Sequence, residues 1–204
     1  MTSIATASNE SKKAEAMTQQ FVGDLLLVFN PNSATLRGRN SSGPAEVLAK
    51  QNDWSFYSFA QNSRWKGYPL AKFSFGNWQV WVVGEIYGAF TADQILKRVK
   101  EAIETHNISR LNGHYLLFAW NSEKSEWNVW TNRLATIHAY HTEMQNSAAI
   151  GTCFGSVSRT AATYDYDELG LLGFFAFGFF PQNRTYYKNV RILRPSTHEV
   201  FNSS

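Results

Sequence analysis

The sequence predicts a single α+β domain in which many antiparallel strands accompany few helices. The 204 residues are 44% hydrophobic and 15% aromatic, with only 17% charged side chains, which is the composition of one globular domain with a sizeable core. Short runs of aromatic and β-branched residues recur between polar turn sequences, as is typical of strands joined by hairpins. Helical patterns are confined to three segments.

The folded domain is predicted to begin near residue 19. Residues 1–18 lack aromatic residues and apolar periodicity, and a strand-like apolar run then starts at Phe21–Phe29. We therefore assign residues 1–18 to a flexible N-terminal tail and residues 19–204 to the domain. Pro44 suits the first position of a helix, so a short helix is expected from there to about Asn52.

The next segment is predicted to form three strands followed by a helix. Gly76 and Asn77 supply a two-residue hairpin turn between two of these strands. Thr91 and Gln94 form a capping box, and apolar residues then recur at helical spacing through Ile103. The three strands are Trp54–Ala60, Leu70–Phe75 and Trp78–Ile86.

The second half is predicted to consist of strands around one further helix. Asp165, Asp167 and Glu168 place acidic side chains at the N-terminus of that helix, where the helix dipole favours them, and the helix continues through Phe175. The predicted strands are His114–Trp120, Trp127–Asn132, His138–His141, Ala148–Phe154, Val190–Leu193 and His198–Phe201.

Charge, hydropathy and cysteine content argue against several classes of protein. The net charge of +3 comes without a clustered basic stripe, so nucleic-acid binding is not expected. The longest apolar run, Leu171–Phe180, has about half the length of a membrane helix, and no signal peptide precedes the domain. We therefore expect a cytoplasmic protein that does not bind membranes. Cys153 is the only cysteine, which precludes an internal disulfide and a cysteine-based zinc site; no metal or cofactor is expected.

Four stretches match the motifs of one family in order along the chain. They are VGEIYG at residues 83–88, LNGHYLLFAWN at 111–121, TNRLATIHAY at 131–140, and FGFFP, RT and VRILRP between residues 177 and 195. In this order they resemble the glutaminase domain of asparagine synthetase and its relatives, the class II glutamine amidotransferases. The resemblance covers about residues 19–201. It implies a four-layer αββα sandwich of two antiparallel sheets, the N-terminal-nucleophile hydrolase fold.

The resemblance also implies a pocket that lacks most of the family's chemistry. The nucleophilic cysteine falls on Gln19, whose carboxamide cannot attack a carbonyl, and the oxyanion asparagine falls on Val83, which has no side-chain donor. The backbone N–H of Gly84 and the carboxylate of Glu85 are retained. No basic residue stands where the family's arginine grips the substrate carboxylate, and Asp93 is the candidate for contacting the substrate's amino group.

We therefore interpret the chain as a catalytically degenerate amidotransferase-like domain that binds a partner or ligand or has a structural role. The implied partners are a synthetase-type protein, a second copy of the chain, or a small amino-acid-like ligand at Gly84, Glu85 and Asp93. The chain ends where relatives continue into an ATP-dependent synthetase domain, and β-lactam synthetases similarly keep such a domain without glutaminase chemistry. Glu85 alternatively has a purely structural hydrogen-bonding role.

Two other functions remain open. Cleavage after Met17 would expose Thr18, and an N-terminal threonine can act as the nucleophile for glutamine hydrolysis. A carbohydrate-binding module would instead present several of the seven tryptophans on one accessible face. Among single residues, Cys153 in an apolar strand favours a buried structural thiol, and His138 and His141, three apart on a strand, suit a metal poorly.

Overall fold

Two six-stranded sheets form the body of the protein. The computed structural model describes residues 20–30, 45–59, 67–144, 147–161 and 163–202. In chain order the strands are β1 (Gln20–Val22), β2 (Asp24–Phe29), β3 (Ala45–Lys50), β4 (Trp54–Phe59), β5 (Tyr68–Phe75), β6 (Trp78–Ile86), β7 (Gly113–Asn121), β8 (Glu126–Thr131), β9 (Tyr140–Met144), β10 (Ser147–Gly151), β11 (Val190–Ile192) and β12 (His198–Asn202). The helices are α1 (Ala92–Glu104), α2 (Phe154–Thr160) and α3 (Glu168–Phe177), with a 3-10 turn at Ile108–Arg110.

Both sheets are antiparallel throughout. The first has the strand order β1-β5-β6-β7-β8-β12, and the second has the order β11-β9-β10-β2-β4-β3. The chain passes from the first sheet to the second at Gly23, because β1 pairs with β5 while β2 pairs with β4 and β10. One residue therefore links the two sheets at the start of the described chain.

Side-chain alternation along the strands places one face of each sheet in a shared inner core. Trp81 and Val83 of β6 and Leu25 and Leu27 of β2 point into this core and are fully buried. Four tryptophans meet there, with neighbouring ring centroids 4.8 to 5.9 Å apart. Within the described residues their indole N–H groups have no hydrogen-bond partner. These tryptophans are Trp54, Trp81, Trp120 and Trp127.

Helices cover parts of the two outer faces. The buried side of α1, which includes Val99 and Ile103, packs on outward-facing side chains of the first sheet such as Val80. α2 packs on the second sheet, where Val157 shares a cluster with Val28 of β2. Each outer face thus gains an apolar layer only where a helix lies over it.

The expected α+β fold with four αββα layers is wrong, because the protein is mostly β. Its three described helices are 13, 7 and 10 residues long. This is too little helix to form a continuous layer over either six-stranded sheet. The apolar residues follow the period of strands over most of the chain, so burial is achieved mainly by stacking one sheet on the other.

Several predicted elements differ from the observed ones. Residues 45–50 form β3 and not a helix, because they pair with β4 through a register shift between Val47 and Ala49. The first predicted strand divides at Gly23 into two strands of different sheets. The motif alignment required the first strand to pair with the strand ending at Ile86. This expectation is wrong, because β5 lies between β1 and β6.

The predicted hairpin and the two longer helices are confirmed. Gly76 has a φ of +51° in the turn between β5 and β6. Thr91 caps α1 by accepting from the Gln94 N–H, while the Gln94 side chain accepts from the Thr91 N–H. Asp167 caps α3. The predicted tail at residues 1–18 lies outside the described residues. None of the described helices has the length and apolarity to span a membrane.

Candidate functional site

The residues of the implied glutaminase pocket lie at the end of β6. Val83 is fully buried in the inner core and is therefore closed to any ligand. Glu85, two residues further along β6, is exposed. Asp93 is also exposed, in the first turn of α1. The two carboxylates that sequence motifs single out thus stand at the surface on separate elements.

Gly84 has a local structural reason to be glycine. Its φ of +95° lies in the left-handed region that side chains disfavour. A Cβ at this position would collide with the carbonyl oxygen of His114 on β7 and with the side chain of Ile137. The glycine is therefore required by the close approach of β6 and β7, independently of any role as a backbone donor.

The two nucleophile positions cannot be placed against these residues. Gln19 and Thr18 lie outside the described residues. The described chain begins at Gln20, which is in register with Leu70 of β5, and Leu70 is in register with Val83 of β6. The start of β1 is therefore two strands away from Val83 within the first sheet.

The outer face of the first sheet carries a cavity of about 740 Å³, which we call the outer cavity. Its floor includes Glu126, Asn128 and Trp130 of β8 and His198 of β12. One wall comes from the end of α1 and the 3-10 turn at Ile108–Arg110. The outer cavity lies on the face of the sheet opposite to Val83, and none of the site residues predicted from the motifs lines it.

A chain of polar contacts crosses the floor of the outer cavity. His198 Nε2 lies 2.8 Å from Asn128 Oδ1, and Asn128 Nδ2 donates to Glu126 Oε1 at 3.3 Å. Lys124 Nζ lies 3.9 Å from the same carboxylate oxygen. The His198 ring also stacks on Trp130, with centroids 4.5 Å apart and planes inclined by 14°. These contacts fix the orientation of the Asn128 amide.

Burial sets the protonation of two groups in the outer cavity. It lowers the pKa of His198 against the opposing influence of Glu126 and Glu199, so the ring is neutral near pH 7. Contact with an oxygen acceptor then assigns the proton to Nε2 and leaves Nδ1 as an acceptor. Burial also raises the pKa of Tyr115 to about 12, and its hydroxyl donates to the carbonyl of Leu111 at 3.4 Å.

A second surface feature lies on α3 and the residues after it. Five apolar side chains there are 59 to 80% exposed, and we call this group the aromatic surface. No charged residue occurs between residues 169 and 183. The members are Leu169, Leu172, Phe175, Phe177 and Phe179.

Asp167 holds α3 in place. Its buried carboxylate accepts from the Gly170 N–H at 3.0 Å, from Arg184 at 2.7 Å and from Arg191 at 2.8 Å. Burial acts to raise the pKa of Asp167, but these hydrogen bonds outweigh that effect and hold the pKa below its usual range. The ion pairs tie the start of α3 to β11, so the aromatic surface is presented by a fixed element.

The remaining sequence candidates do not form a site with these groups. Cys153 is partly exposed at the N-cap of α2, so the expectation of a buried strand thiol is wrong. His138 is exposed and His141 is partly buried on β9. In the part of the chain that the structure describes, no three histidine, cysteine or acidic side chains are grouped as metal ligands.

No protein-family model matches the chain, and no curated protein matches its sequence. The relationship to class II glutamine amidotransferases therefore stays a prediction from the four motifs.

Sequence reasoning missed both features, although each has a signal. Glu126, Asn128 and Trp130 alternate along β8 and so share one face of the sheet. The apolar run at Leu171–Phe180 is continuous through a helix, which indicates that the helix has more apolar surface than one neighbour covers. The signals were thus the alternation of side chains along β8 and the length of the apolar run over α3.

Proposed function

We propose that this chain is a non-enzymatic docking module of the class II glutamine amidotransferase type, whose aromatic surface binds a synthetase-type protein. The observation that carries the proposal is the exposure of two leucines and three phenylalanines on α3 and its following turn. The exposure of each of these side chains to water is unfavourable, because burial of apolar surface lowers the free energy. A partner that covers these side chains removes their apolar surface from water, and this burial contributes favourable free energy to binding.

The aromatic surface is smaller than one side of a standard protein interface but reaches the upper end of the apolar patches found on monomers. Scaled by their exposed fractions, its five side chains leave roughly 600 Å² of apolar area in contact with water. A standard interface buries about 800 Å² on each partner, and the largest apolar patches of monomers are about 300 to 600 Å². The surface is therefore large enough to be the centre of a stable interface.

The partner must present an apolar face without buried charge. A charged group placed against the uncharged segment 169–183 would lose its hydration without gaining a counter-ion. The surface is also preorganised, because Asp167 caps one end of α3 and Gly178, with a φ of +77°, terminates the other. Little ordering free energy is therefore lost on binding.

Two further points support the choice of a synthetase-type partner and the absence of catalysis. The four sequence motifs resemble those of domains that accompany ATP-dependent synthetase domains. Gln19 stands where those domains have the nucleophile, and Val83, at the oxyanion position, is a core residue without a side-chain donor. A domain with this sequence can retain the association while lacking the hydrolysis.

The test is site-specific photo-crosslinking during co-expression with an ATP-dependent synthetase domain of the asparagine synthetase type. A photoreactive phenylalanine analogue at Phe175 is expected to crosslink that protein, and the same analogue at Lys97, exposed on α1, is the matched control. Replacement of Phe177 by aspartate should abolish the crosslink from position 175. Sedimentation equilibrium of the isolated chain measures whether it is a monomer or a dimer, and so tests whether a second copy of the chain covers the aromatic surface instead.

Three results would contradict this assignment. Crosslinks between two copies of the chain, with a dimer in sedimentation, would show that a second copy occupies the aromatic surface. Equal crosslinking from positions 175 and 97 would show non-specific adhesion. Release of ammonia from glutamine by the purified chain, together with a mature N-terminus at Thr18, would establish the glutaminase alternative.

A further inference from the structure

We infer that the outer cavity is a binding site for a neutral, polyhydroxylated ligand of the sugar class. The site is independent of the aromatic surface, because the two share no residue. The cavity lies on the first sheet, whereas the aromatic surface lies on α3, which Asp167 ties to β11 of the second sheet. Four observations carry it: where the cavity forms, how its floor alternates, which hydrogen-bonding groups it offers, and how its charges are arranged.

The cavity forms where helix cover ends. α1 packs on the outer face with Val80 and Val82 of β6, and the last residue of α1 that packs there is Ile103. Beyond it, the chain turns at Ile108–Arg110. His198 and Val200 of β12 are exposed there, while Asn128 and Trp130 of β8 are buried beside them. A volume of about 740 Å³ lies within the range of small-molecule sites, about 300 to 1,000 Å³.

The floor combines apolar and polar side chains in neighbouring strand positions. Trp130 is in register with His198, and Asn128 is in register with Val200. Trp78, at the start of β6, adds a second indole to the same cavity. A sugar ring has one face of C–H groups and a rim of hydroxyls. The partly exposed Trp78 indole and the exposed Val200 suit the first, and the Glu126 carboxylate and the His198 imidazole suit the second.

The hydrogen-bonding groups of the floor are preorganised. Asn128 is almost completely buried and is held between His198 and Glu126. The end of β8 is also fixed, because Thr131 Oγ1 donates to the Arg194 carbonyl at 2.6 Å and accepts from the Thr197 N–H at 2.9 Å. A ligand hydroxyl that bonds to this network loses little free energy to reorganisation.

The charges disfavour anions. The cavity meets the C-terminal end of α1, where the helix dipole places partial negative charge. Glu126 is the acidic group of the lining, and Lys124 lies 3.9 Å from it, so this lysine is already engaged. A phosphate or carboxylate ligand at the floor would therefore face Glu126 and a negative helix end, while the arginine of the lining, Arg133, lies in the turn after β8.

The charges also disfavour a free amino acid. Such a ligand needs an acidic and a basic protein group that are both free to bind it, whereas Glu126 and Lys124, 3.9 Å apart, are paired with each other. Arg133, the arginine of the lining, lies in the turn after β8, seven residues from Glu126. Hydroxyl groups, which both donate and accept, match the mixed lining better than a compact zwitterion does.

The test is titration of the isotopically labelled chain with neutral trisaccharides, followed by nuclear magnetic resonance. The probes are maltotriose, cellotriose, mannotriose and triacetylchitotriose, with glutamine and inorganic phosphate as the competing chemical classes. At least one trisaccharide is expected to shift the indole N–H signals of Trp78 and Trp130 in a saturable manner below about 10 mM. The Trp78→Phe and Trp130→Phe variants assign those two signals.

Two variants connect binding to this cavity. Asn128→Ala should weaken the affinity about tenfold or more, because it removes the central group of the network. Val200→Trp fills the cavity from the edge strand β12 and should abolish binding without removing any group of the network. Val47→Trp is the matched control, because Val47 is similarly exposed on β3, the edge strand of the second sheet.

The following results would overturn the inference. Absence of any saturable shift with all four trisaccharides would overturn the inference, as would equal loss of binding in Val200→Trp and Val47→Trp. Binding of glutamine or phosphate in place of sugars, with the same dependence on Val200, would show that the cavity is a site of another ligand class. If Asn128→Ala does not fold, the Val200→Trp and Val47→Trp pair still decides the question.

Discussion

The inner core and the aromatic surface use similar residues and treat them in opposite ways. Trp81 and Trp127 are 0% exposed between the sheets, whereas Phe175 and Phe177 are 80% and 70% exposed on α3. Both groups make aromatic contacts, since Trp81 and Trp127 stack at 5.2 Å and Phe177 and Phe179 lie 6.0 Å apart. The contrast therefore lies in what covers the rings and not in their composition.

The difference follows from the geometry of the two element types. Each strand of the inner core has one face against the other sheet, so every second side chain is buried from both sides. α3 is apolar over most of its circumference, and within the described residues its two buried positions are Gly170, against the Thr185 carbonyl, and Gly173, against Pro181. An apolar residue type thus predicts burial only where the architecture supplies a second surface.

The largest effect is expected from Trp127→Ala. The Trp127 ring contacts Trp54 at 4.8 Å and Trp81 at 5.2 Å, so its removal leaves a cavity lined by rings that cannot collapse around it. We expect a loss of about 3 to 5 kcal/mol in the free energy of unfolding. Chemical denaturation of the purified variant measures it, and a loss below about 1 kcal/mol would show that the two sheets are loosely packed.

Asp167→Ala should have the next largest effect, because it detaches the aromatic surface from its support. The variant loses the cap of α3 and leaves Arg184 and Arg191 without their shared carboxylate. We expect a destabilisation of about 2 to 4 kcal/mol. Glu168→Ala, which removes the exposed neighbouring carboxylate, is the control. Equal effects of the two substitutions would mean that Asp167 contributes only its charge to the helix dipole.

The pH dependence of stability should report on a histidine at the margin of the inner core. Burial lowers the pKa of His141, with Glu143 and Glu199 opposing this shift and Arg191 adding to it. The unfolded state then binds more protons than the folded state below about pH 6.5, so stability is fully present near pH 7 and decreases as the pH falls through the lowered pKa.

His141→Phe should make the free energy of unfolding less dependent on pH between about 7 and 5. Denaturation curves at several pH values provide the measurement. The same substitution at the exposed His138 is the matched control. An unchanged pH slope in His141→Phe would assign the effect to other groups, of which His198 is the first candidate, since burial lowers its pKa as well.

The smallest effect is expected from Phe175→Ser in the isolated chain. Phe175 is 80% exposed, so its removal changes little apolar burial on folding. We expect a change within about 0.5 kcal/mol in the free energy of unfolding, and increased solubility. A loss comparable with that of Trp127→Ala would show that this face of α3 is covered in the isolated protein.

Local chemistry carried the successful part of the sequence prediction. The Thr91 and Gln94 capping box, the Gly76-Asn77 turn and the acidic start of α3 each depend on neighbouring residues alone. The prediction of a helix at residues 45–50 was wrong. Their sequence is compatible with a helix, but pairing with β4, a tertiary contact, makes them a strand. The layer architecture failed for a related reason: helix cover depends on how far each helix reaches across a sheet.

The candidate sites were predictable only in part. The motif at residues 83–85 located the end of β6, but its alignment could not reveal that Val83 faces the inner core or that packing against His114 requires Gly84. The outer cavity depends on the pairing of β12 with β8, residues about 70 positions apart in the chain. No local pattern contains that pairing.

The change of sheet at Gly23 has a mechanical consequence. Because β1 is bonded into the first sheet and β2 into the second, tension applied at the start of the domain is transmitted to both sheets within one residue. The Gly23 N–H also donates to the Phe59 carbonyl of β4 at 3.2 Å, which fastens the crossing point itself. The two sheets should therefore rupture as one unit under force, with the crossing at Gly23 acting as the clamp.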